Sequence, residues 1–301
     1  MDKMIVVEKI TKHYEQVKAL SNISFTINKG ELFGLVGPDG AGKSTLFRIL
    51  ATLLLPDKGK AWINGVDVVK HYKKIRSSIG YMPGRFSLYQ DLSVVENLNF
   101  YASVFGTTLE ENYALIEDIY RYLLPFKERK AGKLSGGMKQ KLALCCALIH
   151  APSILFLDEP TTGVDPTSRQ EFWETLTKLK EKGMTILVST PYMDEAVLCD
   201  RIALMQEGQL MKVDTPQQII DQFGKTLWKV SAKNMYGLLK DMRLSPLVEQ
   251  CYTFGQYLHF TFVQEELNAL VAYLKQKGHQ EIEIAPTAVT IEDCYLQLTD
   301  V

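Results

Sequence analysis

The sequence predicts an α/β fold: a mixed, largely parallel sheet, a helical insertion within it, and a small C-terminal α+β domain. Three observations carry this. Apolar strand-like runs at 31–36 (ELFGLV), 153–160 (SILFLDEP) and 184–190 (MTILVST) alternate with helical stretches, as expected of a parallel sheet covered on both faces. From about 86 to 150 the apolar residues fall instead at i, i+3, i+4 and i+7. Beyond 225 the pattern becomes β-α-β-β-α-β, the order of a ferredoxin-like split βαβ unit.

The chain opens on two β-rich stretches, MIVVEKITKHY (4–14) and ISFTI (23–27), which lead through Gly30 to the run ELFGLV. GPDGAGKST (37–45) follows directly, and then LFRILATLL (46–54), apolar at helical spacing. AWINGVDV (61–68) reads as a strand, and DLSVVENLNFYASVF (91–105) and LEENYALIEDIYRYLL (109–124) read as helices. TSRQEFWETLTKLKEKG (167–183) is the helix between the second and third apolar strands. In the last segment the strands are TLWKVSA, VEQCYTF, YLHFTFV and QEIEIAP, and Leu267, Leu270, Val271 and Leu274 make one apolar helical stripe. The expected domains are therefore 1–225, with its helical subdomain at about 86–150, and 226–301.

Composition excludes several functions. A chain of 301 residues with 46% apolar residues can bury a full core, and its net charge of −1 gives no strongly basic nucleic-acid footprint. The cysteines (145, 146, 199, 251 and 294) contain no CxxC pair and are odd in number, which reads as thiols of a reducing compartment. The histidines have no metal-ligand spacing. The opening MDKMIVVEKI is too interrupted by charge for a signal peptide. The longest apolar stretch, LALCCALI (142–149), falls far short of the roughly 18–20 residues a bilayer span needs. Any membrane role is therefore expected to come through a partner.

Gly37–Ser44 matches GxxxxGK[ST] between a strand and a helix, the P-loop arrangement. The glycines let the backbone turn its N–H groups onto phosphate, and the helix points its positive end at the same place. Across Gly37, Pro38, Asp39, Gly40, Ala41 and Gly42 the backbone forms the cradle. Lys43 would reach the β- and γ-phosphates of a nucleotide, Ser44 would bind magnesium, and Thr45 is a further phosphate contact. Downstream, Asp158 ends a buried strand and can hold magnesium, while Glu159 is placed to activate the attacking water. Ser135, Gly136 and Gly137 in KLSGGMKQ (133–140) open another helix and form a second anion-binding end.

The order P-loop, helical insert, LSGGM and Asp-Glu strand over about 1–220 resembles the ATP-binding cassette (ABC) family of P-loop NTPases, whose signature is LSGGQ. The resemblance implies an ATPase working as a head-to-tail dimer, with ATP between the P-loop of one domain and the signature of the other. It also implies that Tyr14 stacks on adenine and that Asp165, in TTGVDP (161–166), crosses toward the partner's site. The C-terminal segment, ending PTAVTIEDCYLQLT, resembles the accessory domain of drug-export and polysaccharide-export ATPases, especially the daunorubicin-type branch. That likeness implies an exporter subunit on the cytoplasmic face of the membrane, with transmembrane permease subunits as partners.

Two positions depart from the family. GYMPGRFSLY (80–89) has Gly84 where the family usually has a glutamine that touches magnesium and the attacking water. STPYMDEA (189–196) has Pro191 where it usually has a histidine on the γ-phosphate, and proline brings no donor at all. With the signature intact, this points to a chain whose own P-loop site binds ATP and hydrolyses it slowly, paired in a heterodimer or tandem with a competent second domain. A homodimer that tolerates both losses is the alternative. Two other classes stay open: a soluble ABC ATPase acting on ribosomes or DNA, and a nucleotide-binding protein without turnover. The transported compound is not legible, because selectivity would lie in other subunits.

Overall fold

The structure, a computed structural model, describes residues 2–299. It divides into two compact units between Pro216 and Gln217, earlier than the 225/226 boundary expected from the sequence. The first unit begins with β1 (Lys3–Tyr14), β2 (Val17–Asn28), β3 (Leu32–Val36), α1 (Lys43–Leu50), β4 (Lys58–Ile63), β5 (Val66–Asp67) and α2 (Tyr72–Ser78). It continues with β6 (Ile79–Met82), α3 (Val94–Val104), α4 (Tyr113–Tyr120), α5 (Gly136–Leu148), β7 (Ile154–Asp158) and α6 (Pro166–Glu181). β8 (Thr185–Thr190), β9 (Arg201–Gln206) and β10 (Gln209–Asp214) complete it, and α7 (Pro216–Asp221) lies at the division. The second unit contains β11 (Trp228–Ser231), α8 (Met235–Leu244), β12 (Val248–Phe254), β13 (Tyr257–Phe262), α9 (Leu267–Gln276), β14 (Glu283–Pro286) and α10 (Ile291–Thr299).

A six-stranded sheet in the order β10-β9-β3-β8-β7-β6 forms the centre of the first unit. β9, β3, β8, β7 and β6 run parallel, and β10 returns antiparallel on β9. Every residue of β3, β7 and β8 is buried, which is why these strands read as continuous apolar runs. A second, antiparallel sheet in the order β2-β1-β4-β5 packs its alternate apolar residues into the same core. Phe25 of β2 stacks on Phe33 of β3 with ring centroids 5.4 Å apart, and Phe47 of α1 meets Phe156 of β7 edge-on at 6.1 Å. These contacts fix α1, and with it the loop at its N-terminus, against the carboxyl ends of the parallel strands.

AWINGVDV is a hairpin rather than one strand. Asn64 and Gly65 take φ of 48° and 73°, so the chain reverses between β4 and β5. Asn-Gly favours this turn because both central positions need the left-handed region. The helix expected over 109–124 is confined to Tyr113–Tyr120, and Pro125 then sits in a 3-10 turn at Leu124–Phe126. α3 is better defined: Ser93 Oγ accepts from the Glu96 amide, and Glu96 Oε2 accepts from the Ser93 amide at 2.7 Å, a capping box. Buried Asn97 donates to the carbonyls of Tyr89, Leu92 and Ser93 and accepts from the Tyr89 amide, so the segment after Gly84 is tied to α3.

In the second unit β12-β13-β11-β14 form an antiparallel sheet, the strand order of the split βαβ pattern. Val230, Leu258 and Phe260 pack on Leu238 and Met242 of α8 and on Leu270 and Leu274 of α9. Val271 of the expected stripe is only half-buried. α10 is held by Asp293, which is fully buried. One of its carboxylate oxygens accepts from Tyr252 Oη (2.9 Å) and faces His259 Nδ1 (2.7 Å); the other accepts from the amide and hydroxyl of Thr290.

Candidate active site

β3, β6, β7 and β8 all end on one side of the parallel sheet, where ligands bind in open α/β folds. The loop 37–42 leaves β3 there. A Cβ on Gly37 would lie 2.2 Å from the Met205 carbonyl oxygen, and Gly42 has φ 101°, so both positions require glycine. α1 then begins at Lys43 with no acidic residue in its first turn and no side-chain cap, which leaves its amide groups free for an anion.

Lys43 is buried beneath this loop. Its ammonium donates to the Gly37 and Pro38 carbonyls at 2.7 and 2.9 Å and lies 3.1 Å from Glu159 Oε1. Glu159 follows β7 in a left-handed conformation (φ 51°), and its amide donates to Ser189 Oγ. That hydroxyl donates in turn to Asp158 Oδ1 at 2.7 Å. The other Asp158 oxygen has no hydrogen-bond partner among the described residues, although the residue is buried. Burial, and next the negative charge of Asp158, push the Tyr81 phenol up to about 12.

Tyr14, Gly40, Gly42, Lys43, Ser44, Thr45 and Glu159 share one concavity of about 420 Å³. Tyr14 stands at its edge, 40% exposed at the end of β1. Asp39 and Pro38 are exposed on the loop, and Ala41 is buried, its carbonyl accepting from the Gly208 amide. Glu207, in the β9–β10 turn, also lines the concavity and escaped the sequence reading. No motif marks it, since it arrives through the Gly208–Ala41 and Ser21–Gly208 backbone bonds.

Ser135, Gly136, Gly137 and Asp165 form a separate cluster, outside that concavity. Ser135 is the N-cap of α5 and accepts from the Met138 amide. Gly137 leaves no space for a side chain: a Cβ there would lie 2.6 Å from Ser168 Oγ. Asp165 caps α6 by accepting from the Ser168 amide at 2.9 Å, a bond that holds its carboxyl below the usual range.

The two departures lie against the first cluster. A Cβ on Gly84 would lie 3.1 Å from the Asp158 carbonyl oxygen and 3.9 Å from its carboxyl carbon. Pro191 follows Thr190, whose carbonyl accepts from the Gly37 amide at the start of the loop. A further network went unread: buried Glu195 accepts from Thr161 (2.8 Å), Arg169 (2.6 Å) and Thr190, while Arg169 also grips both oxygens of Asp194.

The sequence profile described as ABC transporter matches residues 20–162. Over 305 aligned positions the chain is 39% identical to the probable multidrug ABC transporter ATP-binding protein YbhF of Escherichia coli K12; the match covers 99% of this chain but 52% of that protein, so the chain spans about half its length. It is 33% identical to the Nod factor export ATP-binding protein I of Burkholderia pseudomallei, with 97% and 95% of the two chains covered. Among solved structures, the dimeric post-hydrolysis ATP-binding cassette MJ0796 bound to ADP and Pi superposes with a TM-score of 0.64 at 27% identity, over 70% of this chain and 98% of that one.

Proposed function

The chain belongs to the ABC transporter family as an ATP-binding, ATP-hydrolysing member, and on that premise we propose that it is the ATPase subunit of an exporter whose own P-loop site turns over slowly. The observation that carries this is the placement of Gly84 and Pro191. A side chain at 84 would start against Asp158, and 191 follows the residue bonded to Gly37, which supports assigning both replaced residues to the phosphate end.

Binding is served by the loop amides, Lys43 and the open start of α1. Tyr14 offers a flat apolar ring to the base at the far edge of the concavity. Ser44 and the unpaired oxygen of Asp158 are the hard oxygen donors that would hold magnesium, which when bound neutralises charge between phosphate oxygens. Glu159 is the base for the attacking water, and it must first leave Lys43, which the terminal phosphate takes over. Missing from this set are donors at 84 and 191 to the developing charge. Each such loss typically costs around 2–4 kcal/mol, or roughly 10²–10³ in rate.

Ser135, Gly136, Gly137 and Asp165 lie apart from the P-loop within one chain, as a second domain would require if they serve its nucleotide. A permease subunit would dock in the groove beside Gly84. That groove, about 390 Å³, is walled by Leu53, Met82, Phe86, Tyr101 and Phe105. Export comes from the relatives' names and from the C-terminal unit. Among the described residues no helix is long and apolar enough to cross a membrane.

The test is the double variant Gly84→Gln with Pro191→His, assayed for ATP turnover with and without the membrane partner. The Cβ at 84 is tight against the Asp158 carbonyl, so the single Pro191→His is assayed beside it. A gain of at least tenfold in either is expected; no gain, with unimpaired Mg-ATP binding, refutes the slow-site reading.

A further inference from the structure

A cationic, apolar-studded surface on the first unit has no part in the nucleotide site. On the outer face of β4, Lys60 and Trp62 flank a shallow concavity of about 420 Å³ that Lys70 and Lys74 close from the other side. The segment between, VVKHYKK (68–74), alternates cations with exposed apolar groups: Val69 and Tyr72 are each 42% exposed, beside Lys70, Lys73 and Lys74. Val68 and Ile75 are buried and anchor the segment, so its remaining side chains point outward.

The surface continues through Arg76. Its guanidinium donates from Nε to Thr52 Oγ1 (2.8 Å) and from Nη2 to the Thr52 carbonyl (2.9 Å), and stacks over Tyr72 at 5.2 Å. Those bonds join α2 to the loop that presents Leu53 and Leu55, 57% and 64% exposed. One contiguous face therefore combines ammonium groups with bare leucine, valine and tyrosine side chains.

The lysines outnumber the acids beside them. Lys60, Lys70, Lys73 and Lys74 have no carboxylate within ion-pairing distance among the described residues. The one acid in the concavity, Asp67, accepts from the amides of Lys70 and Val69, and those bonds, with smaller contributions from the charges of Lys70 and His71, hold its carboxyl below the usual range. Glu8 stands opposite Lys60 in the strand register without pairing with it. Set against a whole chain of net charge −1, this is a local concentration of positive charge.

We propose that this face binds the anionic phospholipid surface of a membrane, with a headgroup phosphate in the Lys60–Lys70–Lys74 concavity and Tyr72, Val69, Leu53 and Leu55 in the headgroup region. Lysine ammoniums meet anionic headgroups there, and tyrosine and aliphatic side chains gain by entering the interface. A nucleic acid or an acidic peptide would use the charge but not the leucines. The face is also continuous with the groove assigned above to a permease, since Leu53 and Arg76 line both. The inference rests on that reading only for which side of the subunit meets the membrane. It adds a direct lipid contact made without any membrane subunit.

The test is flotation of the purified full chain with vesicles of phosphatidylcholine alone or with one quarter phosphatidylglycerol. Binding is expected on the anionic vesicles only, and it should fade as salt is raised. A lysine near such a surface is worth about 1 kcal/mol, or about fivefold, so Lys70→Gln, Lys73→Gln and Lys74→Gln together should weaken partitioning by roughly a hundredfold. Tyr72→Ser with Leu55→Ser should weaken it by less and leave the salt dependence intact. A control triple in the second unit, Lys233→Gln, Lys275→Gln and Lys277→Gln, should have no effect. Equal binding to both vesicle types overturns the proposal, as does an undiminished Lys70/Lys73/Lys74 variant or an equally diminished control. Inorganic phosphate that binds the patch in calorimetry while vesicles do not would assign a soluble anion instead. Mg-ATP binding and the melting temperature, measured on each variant, report folding and the nucleotide site separately.

Discussion

Glu159→Gln is expected to tighten the binding of a non-hydrolysable ATP analogue while it abolishes turnover. Lys43 Nζ lies 3.1 Å from Glu159 Oε1, and the two side chains are 2% and 21% exposed. At an effective dielectric near 20 the gross attraction is about 5 kcal/mol. Desolvation of both ions consumes most of that, leaving a net of about 1–2 kcal/mol. A γ-phosphate must displace this carboxylate to claim the ammonium, so the pair opposes binding by that amount. Glutamine keeps the shape and removes the competing charge, while Gly37 and Pro38 still hold Lys43. Affinity should therefore rise by roughly 5–30-fold. The assay is titration calorimetry with the analogue and magnesium, paired with a phosphate-release assay on ATP, where loss of the base should cost roughly 10²–10⁴. Affinity that is unchanged or weaker in the variant would show that the ion pair does not gate the phosphate, and the reasoning fails.

Gly37→Ala should destabilise the first unit by about 1–3 kcal/mol and cost nucleotide binding, because the new methyl would meet the Met205 carbonyl at 2.2 Å; urea unfolding and calorimetry read both effects. Asp293→Ala strips Tyr252, His259 and Thr290 of a shared buried acceptor, so the second unit should lose about 3–5 kcal/mol while Mg-ATP binding is retained. Trp228 lies in that core and its fluorescence follows the unit's unfolding. The cysteine thiols are free and buried, and burial pushes Cys251 up to about 12 and Cys294 up to about 11. Since the thiolate is the reactive form, alkylation at pH 8 should be negligible in the native chain, rise only as pH approaches 11, and become complete after denaturation; rapid native labelling would contradict this.

The parallel strands were legible because burial on both faces leaves an unbroken apolar run, and ELFGLV, SILFLDEP and MTILVST each contain one of them. The loop 37–45 was legible because close backbone approach restricts it to glycine at fixed intervals. AWINGVDV was misread because its apolar alternation continues across the turn and outweighed the Asn-Gly signal. Glu207 and Glu195 were invisible for another reason. Each reaches its place through pairings between residues distant in sequence, Gly208 with Ala41 and Glu195 with Thr161, and no local period reports such contacts. The same holds for Lys43, whose motif announces a phosphate ligand but not the carboxylate it pairs with.

Glu195 has a consequence of its own. A single submerged carboxylate ties the residues after β7, the tip of β8 and the flank of α6 into one knot. The bend that carries residue 191 thus keeps its posture whatever side chain stands at its crown. The frame beneath residue 191 is therefore set by Thr161, Arg169, Thr190 and Glu195, so a Pro191→His chain should keep its fold and its melting temperature.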